Sequence, residues 1–175
     1  LALGCTWRYG AAYSLPEGLF GMSWAALLAL AVCGILLSVA LIDAETQTIP
    51  DRLNAALAVC GVLSVLLDPA AWGAHLIGAL CVSVPMLLLC LLIPGAFGGG
   101  DIKLMAAAGL FLGWQHTLLA MFFGILGGGF YGIYLLAAKK ADKKDHFAFG
   151  PFLCAGIVIA MLAGQPILDW YFRFL

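Results

Sequence analysis

Two aspartates, Asp43 and Asp101, are the residues of this sequence best suited to do chemistry. Each lies where a long, charge-free, apolar stretch meets a charged segment. A carboxylate at the edge of membrane hydrocarbon is costly, so two of them indicate a function. When two carboxylates face each other, repulsion keeps a proton on one while the other stays ionised. One can then activate a water as a base while the other protonates a carbonyl, which is peptide hydrolysis without a metal.

Three consecutive glycines come directly before the second aspartate: Gly98, Gly99 and Gly100. Glycine backbone adopts conformations closed to other residues and lets another chain approach closely, so an extended substrate could lie against this segment. Lys103 is a further candidate for the loop or for substrate binding. Plainer alternatives stay open: Asp101 would cap the helix that follows it, and Asp43 would end its helix in the headgroup region.

The composition predicts a membrane protein. Of the 175 residues, 65% are hydrophobic and 10% are charged, and the mean hydropathy is +1.10. Soluble domains are about 45–50% apolar and about 25% charged. The formal net charge is −1, so we expect a lipid membrane and no nucleic acid as partner.

The cysteines and histidines do not predict a metal site. None of the six cysteines forms a Cys-x-x-Cys pair, and five lie in apolar stretches, which favours small buried hydrophobes. The histidines are scattered, and we expect them at the surface or the membrane interface: His75, His116 and His146. We therefore expect neither a metal nor a cofactor.

The apolar stretches between charges predict an all-α, polytopic membrane helical bundle. A spanning helix needs about 20 residues. We predict about six transmembrane helices, over residues 20–42, 53–67, 72–93, 101–112, 118–138 and 151–170. Residues 113–117 should separate the fourth helix from the fifth. Residues 1–19 are a partial or interfacial segment, and residues 20–175 form the membrane-embedded domain.

Basic residues predict the orientation, because cytoplasmic loops carry the excess of Lys and Arg. Segments 43–52, 94–103 and 139–149 contain most of the lysines and arginines. With spans that alternate in direction, all three segments lie on the cytoplasmic face. Both aspartates then lie at that face and at similar depth, so the topology permits them to meet.

The motifs around the aspartates resemble those of the type IV prepilin peptidases, membrane aspartic proteases of the Gly-x-Gly-Asp class. The matching sequences are Ile42-Asp43, Ile49-Pro50-Asp51-Arg52-Leu53-Asn54, Gly98-Gly99-Gly100-Asp101-Ile102-Lys103-Leu104 and Phe149-Gly150-Pro151-Phe152. The resemblance implies that Asp43 and Asp101 are the catalytic pair. It also implies a prepilin or pseudopilin substrate, cut at the cytoplasmic face of the bacterial inner membrane after the glycine that ends a short basic leader. Bifunctional members carry an amino-terminal part with Cys-x-x-Cys motifs. Without it, we expect no methyl transfer by these residues.

Two other function classes remain open. A small transporter or proton relay also contains intramembrane acids, but it should show internal repeats and acids near mid-membrane. We find no repeat, and both aspartates lie at the ends of spans. A peptidase-like assembly subunit without activity is the third class, and the presence of both aspartates argues against it.

Overall fold

The structure, a computed structural model, describes residues 24–93, 97–137 and 148–173. The elements in these ranges are all helical: α1 (Trp24–Thr46), α2 (Asp51–Leu67), a 3-10 turn (Pro69–Ala71), α3 (Trp72–Cys81), α4 (Ser83–Leu92), α5 (Gly99–Leu112), α6 (Trp114–Ala137) and α7 (Gly150–Phe172). The predicted all-α fold is thereby confirmed. The predicted amino-terminal segment, residues 1–19, and the lysines of residues 139–144 lie outside the described residues.

Four stretches of the described chain are long and apolar enough to cross a membrane: Ala26–Thr46, Pro69–Leu92, Trp114–Tyr134 and Gly150–Phe172. The other two predicted spans are shorter helices, since α2 has 17 residues and α5 has 14. At a rise of 1.5 Å per residue they extend about 26 and about 21 Å, less than the hydrocarbon thickness of about 30 Å. The described part of the chain is therefore a helical membrane bundle in which four helical stretches reach the length of a full span and two helices are shorter.

The first span ends later than the charge pattern predicted. Helix α1 continues to Thr46, so Asp43 lies inside its last turn and not beyond its end. The helix ends at Gln47, whose φ of 52° is left-handed. Its N–H donates to the carbonyl oxygen of Asp43 at 2.8 Å. A left-handed residue of this kind ends a helix whatever the charges before it.

Two interruptions divide the apolar stretches. The span predicted over residues 72–93 is broken between α3 and α4, because Pro85 lacks the N–H that would bond to the carbonyl four residues earlier. Between α5 and α6 the turn is the single residue Gly113, at φ 78°. Trp114 is already helical, so this break is narrower than predicted.

Helices α3 and α5 cross with their backbones in close contact. A Cβ on Gly78 or on Gly109 would collide with the backbone of the other helix, and small residues allow this approach in membrane bundles. His75 adds a bond from its Nδ1 to the carbonyl oxygen of Leu110 at 2.8 Å. The surface position expected for His75 and His116 is wrong: both are 4% exposed.

Candidate active site

Contacts between distant residues bring three segments to one end of the bundle: the end of α1, the start of α5 and the start of α7. The carboxylate of Asp43 accepts a hydrogen bond from the N–H of Gly150, and the rings of Phe97 and Phe149 lie 5.8 Å apart. These contacts bring the three helix ends together in the part of the chain that the structure describes.

Asp43 is held in the interior by the first residue of α7. Its side chain is 5% exposed, and its Oδ2 lies 3.0 Å from the nitrogen of Gly150. The start of a helix carries partial positive charge, which stabilises a carboxylate there in its ionised form. Pro151 follows, a residue that often begins helices because it has no N–H to satisfy.

Gly150 is tightly matched to this carboxylate. A Cβ built on it would lie 2.5 Å from the Oδ2 and 2.8 Å from the Cγ of Asp43. Any larger residue would force the two groups apart. Sequence reasoning named Gly150 only as part of a motif and gave it no role, although the Gly-Pro pair does indicate a helix start.

Asp101 both makes a hydrogen bond at the start of its helix and has surroundings suited to a catalytic carboxyl. It lies in the first turn of α5, its side chain is 8% exposed, and its Oδ2 accepts from the N–H of Gly98 at 3.3 Å. Gly98 is the N-cap of α5, and Asp101, at the third helical position, makes the return bond of a capping box to the N–H of Gly98. Asp101 lies outside the four candidate spans. Burial and then the charge of Asp43 raise its pKa to about 6, against the hydrogen bond from Gly98.

The two carboxylates therefore differ in environment. The charge of Asp43 acts on Asp101, which means that the two groups lie near each other. The charges of both also act on Cys154 of α7, which is 3% exposed. Helix α7 thus lies beside Asp43 through Gly150 and within range of both charges at Cys154. Nothing in the sequence indicated that Cys154 would lie beside the aspartates.

The three glycines have different surroundings. Gly98 and Gly99 are exposed, and a Cβ on Gly99 would meet nothing within 4 Å. At Gly100 a Cβ would lie 2.9 Å from the Cβ of Ile49, so this position needs glycine for close packing. The open side of the segment is therefore at Gly99, and its packed side is at Gly100.

Lys103 forms an ion pair with Asp51 of α2. The Nζ lies 2.7 Å from the Oδ1, and the side chains are 59% and 73% exposed. Pairs this exposed stabilise a protein by about 0–1 kcal/mol. The role of Lys103 in substrate binding stays a prediction. Asp51 lies in the first turn of α2, where a negative charge is favourable.

No group of three His, Cys, Asp or Glu side chains that could hold a metal occurs among the described residues. The arrangement of the described part consists of two buried carboxylates, a helix start and an open glycine segment. Such a pair can perform acid–base chemistry on a peptide bond.

Known proteins similar to this chain are consistent with that chemistry. Residues 18–133 match the type IV leader peptidase family. The chain is 33% identical to a prepilin leader peptidase/N-methyltransferase of Legionella pneumophila over 87% of this chain and 55% of the relative. The chain is 30% identical to the protein of that name in Bacillus subtilis, over 88% of this chain and 62% of the relative. It is 31% identical to the one in Aeromonas hydrophila, over 96% of this chain and 64% of the relative. No solved structure gives a significant match.

The chain thus spans between 55% and 64% of the length of these relatives. The relatives are bacterial and the chain has four candidate spans, so it is a multi-pass bacterial membrane protein. The family match covers more than half of the chain and includes both aspartates, and the chain therefore belongs to the type IV leader peptidase family.

Proposed function

We propose that the chain is a membrane aspartic endopeptidase that removes the leader peptide from type IV prepilins or pseudopilins. The observation that carries this proposal is that both aspartates are buried at the end of the bundle where α1, α5 and α7 meet, although α1 and α5 are far apart in sequence. Family membership supports the substrate class, because relatives of this chain are prepilin leader peptidases by name.

The unlike surroundings of the two aspartates support a division of roles. Asp43, with its hydrogen bond from the start of α7, is the ionised base that takes a proton from water. Asp101 carries the proton and gives it to the oxygen of the scissile carbonyl as the water oxygen bonds to the carbonyl carbon. The tetrahedral intermediate then breaks its C–N bond, and the amine leaves with the proton held by Asp43. One hydroxyl proton of the intermediate returns to Asp101 as the carboxylic acid forms, which restores both aspartates to their starting states.

The segment before Asp101 is suited to bind an extended peptide. Gly98 and Gly99 are exposed and carry no side chains, so a substrate backbone can lie directly against them. The basic residues of segments 43–52, 94–103 and 139–149 support a cytoplasmic orientation of this end at the inner membrane. A basic leader would be presented from that side. Methyl transfer, which the names of the longer relatives include, is not part of the proposal.

Substitution of each aspartate tests the proposal. Wild type, Asp43→Asn and Asp101→Asn are incubated in detergent with a leader-bearing prepilin, and the products are measured by mass. Each Asn variant should fall to the background rate while it keeps a normal thermal transition. Asp51→Asn is the matched control, because it neutralises an exposed carboxylate at the same end of the fold and should stay within about threefold of wild type. Near-normal cleavage by either buried variant would contradict the assignment.

A further inference from the structure

Asn54 lies in the first turn of α2, beside the backbone that leads into Asp101. Its side chain is 5% exposed. The Nδ2 group donates a hydrogen bond to the carbonyl oxygen of Gly100 at 3.3 Å. Since Gly100 directly precedes Asp101, this bond connects α2 to the part of the main chain that carries the second aspartate.

The other polar atom of this side chain has no partner. In the described part of the chain, the Oδ1 of Asn54 is buried and makes no hydrogen bond. A buried acceptor without a donor destabilises a fold, and an apolar side chain of similar shape removes that cost. Asn54 therefore uses its donor while its acceptor lowers the stability of the fold. Leu at this position would avoid that cost, so the donor to Gly100 needs a role other than stability.

Within its own helix start, the carbonyl of Gly98 accepts from the N–H of Asp101, and the N–H of Gly98 donates to the Oδ2 of Asp101. Few contacts from other helices fix the direction of this turn. Gly98 and Gly99 are exposed, and the side of Gly99 is open. Ile49 packs against Gly100 and limits how closely the two segments approach. An apolar contact of this kind does not set the direction of a peptide plane, whereas a hydrogen bond to its carbonyl oxygen does.

We propose that Asn54 is a positioning residue for Asp101. Through the carbonyl of Gly100, it holds the first turn of α5 so that the carboxyl of Asp101 faces Asp43. The inference rests on the proposed peptidase function and adds a residue to its machinery. Because Asn54 is buried, it acts on the geometry of the aspartates and not on the bound peptide, so its loss should lower kcat and leave KM unchanged.

Asn54→Leu tests this role by removing the donor and the unpaired acceptor together. With a leader-bearing prepilin in detergent, kcat should fall about tenfold, with KM within about twofold of wild type. Its Tm should be equal to or above that of wild type, because the buried acceptor is gone. A merely structural role predicts the reverse, a lower Tm with normal kcat. Asn54→Thr, which restores a donor, should recover part of kcat.

Ser64 provides the matched control on the same pair of helices. Its buried hydroxyl donates to the carbonyl oxygen of Phe111, at 3.4 Å and at the opposite end of α5. Ser64→Ala therefore removes a similar bond between α2 and α5 far from the aspartates. It should leave both kcat and KM at wild-type values.

Each outcome decides the inference. Wild-type kcat in Asn54→Leu overturns the positioning role, and so does an equal loss of kcat in Ser64→Ala. If Asn54→Leu fails to fold, Asn54→Ala is compared in the same way, and wild-type kcat there refutes the role. If wild type itself does not cleave prepilin, the proposed function fails and this inference with it. Cleavage that persists unchanged without Asn54 refutes the positioning role alone.

Discussion

Gly150→Ala should separate activity from folding at the start of α7. In the structure a Cβ at this position would lie 2.5 Å from the Oδ2 of Asp43. Ordinary contacts between heavy atoms begin at about 3.5 Å, so the carboxylate must retreat by about 1 Å. It cannot keep its present hydrogen bond to the N–H of residue 150 after that movement.

The size of the effect follows from this displacement. A misplacement of about 1 Å in a catalytic group can lower the rate about a hundredfold. Loss of a hydrogen bond to a buried charged group costs about 1.5–3 kcal/mol of stability. Folded domains have about 5–15 kcal/mol in total, so the variant should fold with a lower Tm. We therefore expect a rate near one hundredth of wild type from a protein that still unfolds cooperatively.

The assay compares cleavage of a leader-bearing prepilin with the thermal transition of the same samples. Gly34→Ala is the control, because Gly34 lies in α1 with Asp43 and a Cβ there would meet nothing within 4 Å. It should keep wild-type activity. Wild-type activity in Gly150→Ala would refute the contact between Gly150 and Asp43. Loss of the thermal transition together with activity would show that Gly150 serves folding instead.

Three further results are expected. Because burial and the charge of Asp43 raise the pKa of Asp101 to about 6, kcat/KM should fall as the pH rises through 6. The stability of the fold with a neutral Asp101 is fully present below about pH 4 and is lost as the pH rises through about 6. Asp101→Asn, which cannot ionise, should therefore raise Tm at pH 7 and not at pH 3. Gly109→Ala should lower Tm strongly through its collision with the backbone of Gly78, whereas Gly129→Ala, which meets nothing within 4 Å, should not. A single cysteine placed at Ala44 should resist a membrane-impermeant thiol reagent in intact cells and react after the membrane is opened, and labelling from outside would reverse the proposed orientation.

Much of the fold could be predicted from charge-free runs and glycine breaks. Such runs indicate helices in a membrane, and the turn at Gly113 was expected from the sequence around it. They do not distinguish a helix that crosses the bilayer from a short one packed inside a bundle, because both are apolar. The break at Pro85 follows from an ordinary property of proline and was readable in the sequence.

The site could be predicted only in part. Asp43 and Asp101 stood out because charge is rare in such a sequence, and the structure brings them near each other. Their supporting contacts join residues far apart in the chain: Asp43 to Gly150 across 107 positions and Asn54 to Gly100 across 46. No local pattern encodes such a pairing, since it depends on how four helices pack. The catalytic roles themselves stay predictions until the variants are measured.

The contacts of the short helix α5 explain how a carboxylate can be kept inside the protein. More than half of its residues are buried, among them Asp101, because α2, α3 and α6 surround it. Its far end is fixed by the crossing of Gly109 with Gly78, and its near end by the contacts of Gly100 with Ile49 and Asn54. The position of Asp101 in the bundle is therefore set by protein contacts. The cost that lipid would impose on a charge is replaced by the cost of burying it in protein, which is the condition that keeps a proton on one of two neighbouring carboxyls.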